Sequence, residues 1–239
     1  MYTALIQART SSKRLPKKVI KKILNKEIFE IVYRRTLKSK FVKNAIILTS
    51  KLKSDDKIVK ICKKKKIPFF RGSLQNVLKR YYDASIYFNL KTIIRITADC
   101  PLVDPKIIDK ICKVYKNGNF DYVSNTIKPT FPDGLDVEIF SYDALKKTFF
   151  ISKKKVEKEH VTLGMHSNNK IIKKNVRSIV NYSNYRFTLD TKDDLNKIKK
   201  IFKDYKSIYK PNFNILVKLI KKNLNKYKFI RKNILHDKV

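Results

Sequence analysis

Tyr2-Thr-Ala-Leu-Ile-Gln-Ala-Arg-Thr-Ser-Ser-Lys-Arg-Leu-Pro-Lys-Lys18 decides the fold of this chain. Tyr2 to Ile6 is an apolar run of strand length, and the helical pattern that should pack behind it does not begin until about Ile28. Between them lies a loop with Arg9, Lys13, Arg14, Lys17 and Lys18, interleaved with Thr10, Ser11 and Ser12. A buried strand that empties into a hydroxyl-rich basic loop is where an α/β protein gathers backbone N–H groups and cations around phosphate. The competing reading is a solvated basic loop in a basic protein.

That competing reading has weight, because the 239 residues carry a formal net charge of +37. Such a charge ordinarily points to nucleic acid or an anionic membrane surface. Here only ten of the 57 basic residues are Arg, whereas readers of bases and phosphates favour Arg forks. Lys is instead spread through nearly every segment, as filler of solvated positions. No specific nucleic-acid partner is expected, only a screened attraction to polyanions. Cys62, Cys100 and Cys112 are odd in number and lack metal or redox spacing, so a reducing compartment is expected. No apolar run approaches a membrane span and the first residues do not read as a signal peptide, which predicts a cytoplasmic protein without a membrane partner.

Outward from the loop, strand and helix alternate. Ala45–Thr49, Ile67–Phe70, Thr92–Ile96 and Asp121–Ser124 read as strands, with helices from Ile28, Asp55, Val77 to Tyr87, and Pro105 to Tyr115. This alternation predicts an open, mostly parallel α/β sheet. Leu135–Phe140 alternates apolar and charged residues, which predicts a strand with Asp136 and Glu138 on one wet face. A helix from Tyr142, a helical stretch from Val156 to about His166, a strand over Tyr185–Asp190 and helices at 193–204 and 212–223 complete the reading. One domain is expected over 1–225, with a basic tail at 226–239.

Asp99 and Asp190 fall at the carboxyl ends of two predicted strands, on the same edge as the basic loop. With a nucleoside triphosphate they would complete a Mg²⁺ site, which takes one or two carboxylates plus phosphate oxygens. Each also reads as a helix or turn cap. Asp136 and Glu138 are candidates for recognising the hydroxyls of a sugar-like acceptor. Arg95 reads as an anion contact or a surface charge, and His160 as a structural hydrogen-bonder.

Ile6-Gln-Ala-Arg9 followed by Ser12-Lys-Arg-Leu-Pro-Lys-Lys-Val19 resembles the opening signature of the cytidylyltransferases. That family includes the 3-deoxy-manno-octulosonate, acylneuraminate and SpsF-type spore-coat polysaccharide proteins, and the SpsF-like branch fits best. In order follow Arg71-Gly-Ser73, Val77-Leu-Lys-Arg-Tyr-Tyr-Asp-Ala84, Arg95-Ile-Thr-Ala-Asp-Cys-Pro-Leu102, Phe131-Pro-Asp-Gly-Leu-Asp-Val-Glu138, Glu159-His-Val-Thr162 and Arg186-Phe-Thr-Leu-Asp-Thr191. The resemblance implies a three-layer nucleotide-diphospho-sugar transferase fold, Rossmann-like, with a mostly parallel mixed sheet. It implies attack of an acceptor oxygen on the α-phosphorus of CTP, with Mg²⁺, and a homodimer. The acceptor would be a sugar acid, or alternatively a sugar or polyol phosphate.

By position, Arg9, Arg14 and Lys18 would be catalytic. Ala8, Ser12, Arg71, Arg95 and Thr97 would join them around the nucleotide. Asp99 and Asp190 would hold the metal, and Asp133, Gly134, Asp136, Glu138 and His160 would face the acceptor. The sequence departs from the signature where glycine is usual, at Ser11 and Lys17. Either the loop tolerates both at negative φ or nucleotide binding is weakened.

Overall fold

The computed structural model describes residues 1–222, so the tail expected at 226–239 lies outside the described residues. β1 (Tyr2–Gln7) leads into the basic loop, and a short hairpin of β2 (Lys22–Ile23) and β3 (Lys26–Glu27) precedes α1 (Ile28–Thr36). β4 (Val42–Ser50), α2 (Asp56–Lys64), β5 (Phe69–Gly72), α3 (Val77–Tyr87), β6 (Thr92–Thr97), α4 (Pro105–Lys116) and β7 (Tyr122–Ser124) continue the alternation. The second half holds β8 (Glu138–Ser141), α5 (Tyr142–Ile151), the short α6 (Lys155–His160) and α7 (Leu163–Ser167), β9 (Lys173–Asn175), α8 (Lys192–Asp204) and α9 (Phe213–Lys221).

Seven strands form one sheet in the order β5-β4-β1-β6-β8-β7-β9. β1 pairs in parallel with β4 and β6, and β8 runs antiparallel to both β6 and β7. Both faces are covered. Ala4, Ile6, Ile47 and Ile94 meet α1, α2, α4 and α8 on one side, while Leu5, Ile46, Leu48 and Ile93 meet α3 and α5 on the other. Fully burying one such Ile or Leu is worth about 1.5–3 kcal/mol, which is why β1 and β4 read as unbroken apolar runs rather than alternating ones. The helices after β1 and β4 lie on one face and α3 lies on the opposite face. The strand order therefore reverses beside β1, and a crevice opens at the carboxyl ends of β1 and β6. The expected fold class is the observed one.

Local chemistry sets the helix starts. Asn76 accepts from Lys79 N–H at 2.8 Å to cap α3, Asp104 caps α4 ahead of Pro105, and Thr191 and Asp194 form a capping box on α8.

Four expectations are corrected. The strand predicted at Ile67–Phe70 pairs two residues later, because Pro68 has no N–H to give a ladder. Leu135–Phe140 has no wet face: Asp136 is partly buried, the other five residues are buried, and only Glu138 onward joins the sheet. Tyr185–Leu189 is extended but joins no sheet strand, and touches Asp133 through one isolated bridge at Arg186. The helix expected from Val156 to His166 is two short ones. Val161, at φ 55° and ψ −60°, makes a γ-turn between them, with Thr162 N–H donating to His160 carbonyl at 2.5 Å.

Candidate active site

The basic loop is fastened from below. Thr10 is buried, and both its N–H and its hydroxyl donate to Asp55 Oδ1, at 2.8 and 2.6 Å. Asp55 Oδ2 accepts the hydroxyl of Ser50, the last residue of β4, at 2.5 Å. Burial alone would raise the Asp55 carboxyl; these donors from Ser50 and Thr10 instead hold it below the ordinary range. Thr10 carbonyl then accepts from Ser12 N–H at 2.9 Å and Lys17 N–H at 3.0 Å, folding the loop on itself. Ala8 N–H extends the sheet pairing, donating to Leu48 carbonyl at 2.9 Å.

Lys17 takes φ 57° and ψ 27°, the left-handed conformation. Ser11 is not among the positive-φ residues. Negative φ therefore serves at Ser11, while at Lys17 the loop keeps the backbone glycine would give, at a cost of about 1 kcal/mol for an L side chain. That turn sends the next side chain inward. Lys18 is 9% exposed and its ammonium donates to Asp99 Oδ2 at 2.6 Å and Asp190 Oδ1 at 2.8 Å. Burial would lower the Lys18 pKa, and the two carboxylates outweigh it and raise it. Burial would raise Asp99, and Lys18 outweighs it and lowers it. Both groups are charged at neutral pH.

Asp190 arrives from the other end of the chain. Its segment is clamped by Asp133 N–H on Tyr185 carbonyl at 3.0 Å, Phe187 N–H on Asp133 carbonyl at 2.7 Å and Leu189 N–H on Asp99 carbonyl at 2.8 Å. Gly134, at φ 98°, permits this approach: a Cβ there would lie 2.6 Å from Thr188 N. Arg14 reaches Asp190 Oδ2 at 3.1 Å, and Arg186 contacts the same oxygen while donating to Asp194 at 3.1 Å and lying 3.4 Å from Asp133. Thr188 donates to Asp133 Oδ1 at 2.7 Å.

Arg9, Arg14, Lys18, Asp99 and Asp190 thus lie around one edge, with Arg9 paired to Glu159 at 3.0 Å. Ser12 lies within the loop. Thr97, at the end of β6, contacts Cys100 Sγ at 3.0 Å. His160, beside Glu159, is exposed.

One expectation is corrected here. Arg95 and Glu138 do not face the crevice as free charges; they pair with each other beneath it, Glu138 being 2% exposed. Glu138 also accepts from Tyr122 at 2.6 Å and Thr162 at 2.7 Å. Burial would raise Glu138, and Arg95 and these donors hold it well below the usual carboxylate range. Arg71 is likewise engaged, donating to the carbonyls of Ser50 at 2.9 Å and Leu52 at 3.0 Å and pairing with Asp56. Asp136 remains beside Asp133, and burial first, then Asp133 and Glu138, push its carboxyl up to about 8.

Four contributors were missed in the sequence. Asp55 looked like a helix start, although it anchors Thr10. Arg186 stood inside a recognised motif, with Asp190 four residues on as its one signal. Tyr122 and His166, 2.6 Å apart, join only through the tertiary fold.

A doubly covered α/β sheet with this loop at its reversing edge has the architecture of the nucleotidyltransferases, and comparison with known proteins narrows the class. The profile of the cytidylyltransferase family matches residues 3–228, and the chain belongs to that family of enzymes. A cytidylyltransferase from Leptospira borgpetersenii has the same fold at a TM-score of 0.89 and 33% identity, over 99% of this chain and 100% of that one. The spore coat polysaccharide biosynthesis protein SpsF of Bacillus subtilis is 29% identical over 83% of this chain and 85% of its own length. A CMP:2-keto-3-deoxy-manno-octonic acid synthetase complexed with CTP shares the fold at TM-score 0.64 and 14% identity, over 86% of this chain and 100% of that one.

Proposed function

We propose that this protein transfers CMP from CTP to a hydroxyl of a sugar acid or related acceptor, releasing pyrophosphate, in the synthesis of a surface glycan. The observation that carries the reading is the convergence of Asp99 and Asp190, some ninety residues apart, on Lys18. A buried ammonium between two carboxylates, below a loop bearing Arg9 and Arg14, supplies both signs of charge that a triphosphate and its cation need. Among the described residues no cluster of three or more His, Cys, Asp and Glu is set to hold a metal alone. Asp99 and Asp190 would hold Mg²⁺, a cation that commonly takes one or two carboxylates together with phosphate oxygens and water. When bound, Mg²⁺ supplies Lewis-acid polarisation of the phosphate.

The chain's own residues do the rest. Arg9, Arg14 and Lys18 neutralise the triphosphate and the charge that develops on the leaving pyrophosphate as the α-phosphorus takes the acceptor oxygen. Asp190 is oriented by Arg186 and Arg14, and Asp99 by the backbone clamp to Leu189. Asp133, Gly134, Asp136 and His160 line the acceptor side. A CTP-dependent pyrophosphate assay over a panel of sugar acids, sugar phosphates and polyol phosphates tests this. Turnover with CTP and a sugar acid is expected, and turnover with UTP or ATP but none with CTP would contradict it.

A further inference from the structure

Arg35 and Arg80 are both 1% exposed. Arg35 shows how a buried guanidinium is normally satisfied: it donates to the carbonyls of Val103, Ile208, Leu102 and Pro211, at 2.8, 2.5, 3.2 and 2.6 Å. Arg80 has no such set. Its Nε and Nη1 are buried and have no hydrogen-bond partner among the described residues. An unpaired buried cation is among the costliest features a fold can carry.

The position of Arg80 suggests what would satisfy it. It lies in the first turns of α3 and crosses the end of β5, where a Cβ on Gly72 would come within 2.8 Å of its Cγ. That is the edge at which the basic loop sits. Burial pushes its pKa down to about 10; Tyr81 opposes the shift, Arg9 adds to it and Asp55 opposes it. Arg9 and Asp55 are the first cation of the loop and its anchor. Arg80 thus packs beside Gly72, the last residue of β5, at the sheet edge that carries the loop, with two donors unspent.

We propose that Arg80 is a nucleotide-binding residue whose Nε and Nη1 take their acceptors from oxygens of the bound nucleoside triphosphate. This rests on the function proposed above. A base carbonyl or a phosphate oxygen is the acceptor they take on binding.

The test is calorimetric titration of the full-length protein with CTP and with inorganic tripolyphosphate, in Mg²⁺, for wild type, R80M and R80K, together with melting temperatures. CTP affinity is expected to fall about tenfold or more in R80M, the worth of a charged hydrogen bond. The free R80M protein is expected to melt no lower than wild type, because an uncompensated charge has been removed. R80K keeps the charge without the fork and is expected to lose affinity too, and it decides the matter if R80M does not fold. A fall with both ligands assigns the acceptor to phosphate, and a fall with CTP alone assigns it to the base. Wild-type CTP affinity in folded R80M or R80K overturns the inference. Absence of CTP binding by wild type overturns the proposed function and this inference with it.

Discussion

Lys18 keeps its charge although nearly all of it is out of water, because two carboxylates share it. Replacing it with Ala leaves Asp99 and Asp190 facing each other without a cation. Lys18→Ala is therefore expected to abolish measurable pyrophosphate release and to cost on the order of 2–3 kcal/mol in urea unfolding, somewhat less than for a fully buried pair. The stabilisation between Lys18 and Asp99 is full at intermediate pH. It is lost as pH falls through the lowered Asp99 pKa, below the ordinary 3.8, and as pH rises through the raised Lys18 pKa, above the ordinary 10.5. Asp136 has the opposite sign. Raised to about 8, it destabilises the fold progressively as pH climbs from 3.8 toward 8, so Asp136→Asn is expected to flatten that part of the stability profile. An unchanged slope in the variant would contradict this. Lys17 carries a backbone that glycine adopts freely. Lys17→Gly is expected to change stability by at most about +1 kcal/mol, strain relief less the entropy of Gly, without loss of activity. Loss of activity would show that the lysine side chain itself matters.

At the scale of elements, Tyr185–Asp190 was readable as extended from its residues but not as a non-strand. Its hydrogen bonds go to loops at Asp99 and Asp133 rather than to a sheet edge, and one sequence cannot show which partner a backbone will choose. The clamp depends on Gly134, where a Cβ would strike backbone rather than a movable side chain. Gly134→Ala is expected to cost roughly 2–4 kcal/mol and to displace Asp190, lowering activity by about tenfold or more even where the variant still folds. Thermal unfolding and the pyrophosphate assay together check this; wild-type values in both would contradict the clamp. The predicted helix across 156–166 failed for a comparable reason. Val161 gives no sequence signal for a positive φ, and the break exists because Thr162 must reach Glu138 while Val161 stays buried. The wet face expected of Leu135–Phe140 failed because a buried Glu138 paired with Arg95 reads, in sequence, like a solvated charge.

Over the whole molecule the legible features were those fixed by period and edge chemistry. Unbroken apolar strands, capped helices and a basic loop after β1 sufficed for the fold class and for the idea of a phosphate site. The loop cations and Asp99 stood out because they follow β1 and β6, whereas Asp190 stood out only as the end of a run that joins no sheet strand. Asp55 and Arg186 were not, since their contacts arise from burial and from tertiary partners such as Thr10 and Asp133. The charge of +37 comes from Lys spread through nearly every segment, which is why no specific nucleic-acid partner is expected. Retention on heparin is expected to fall steeply with salt and to be the same in Asp99→Ala; a site-dependent retention would revive a nucleic-acid role. No helix among the described residues is long and apolar enough to cross a membrane. The central claim is that Lys18, Asp99 and Asp190 act as one catalytic unit on CTP. It is tested most directly by CTP-dependent pyrophosphate release from wild type, Lys18→Ala, Asp99→Ala and the double variant. Each single variant is expected to lose about a hundredfold or more, and the double variant to lose little further. Near-wild-type rates in either single variant would contradict the account.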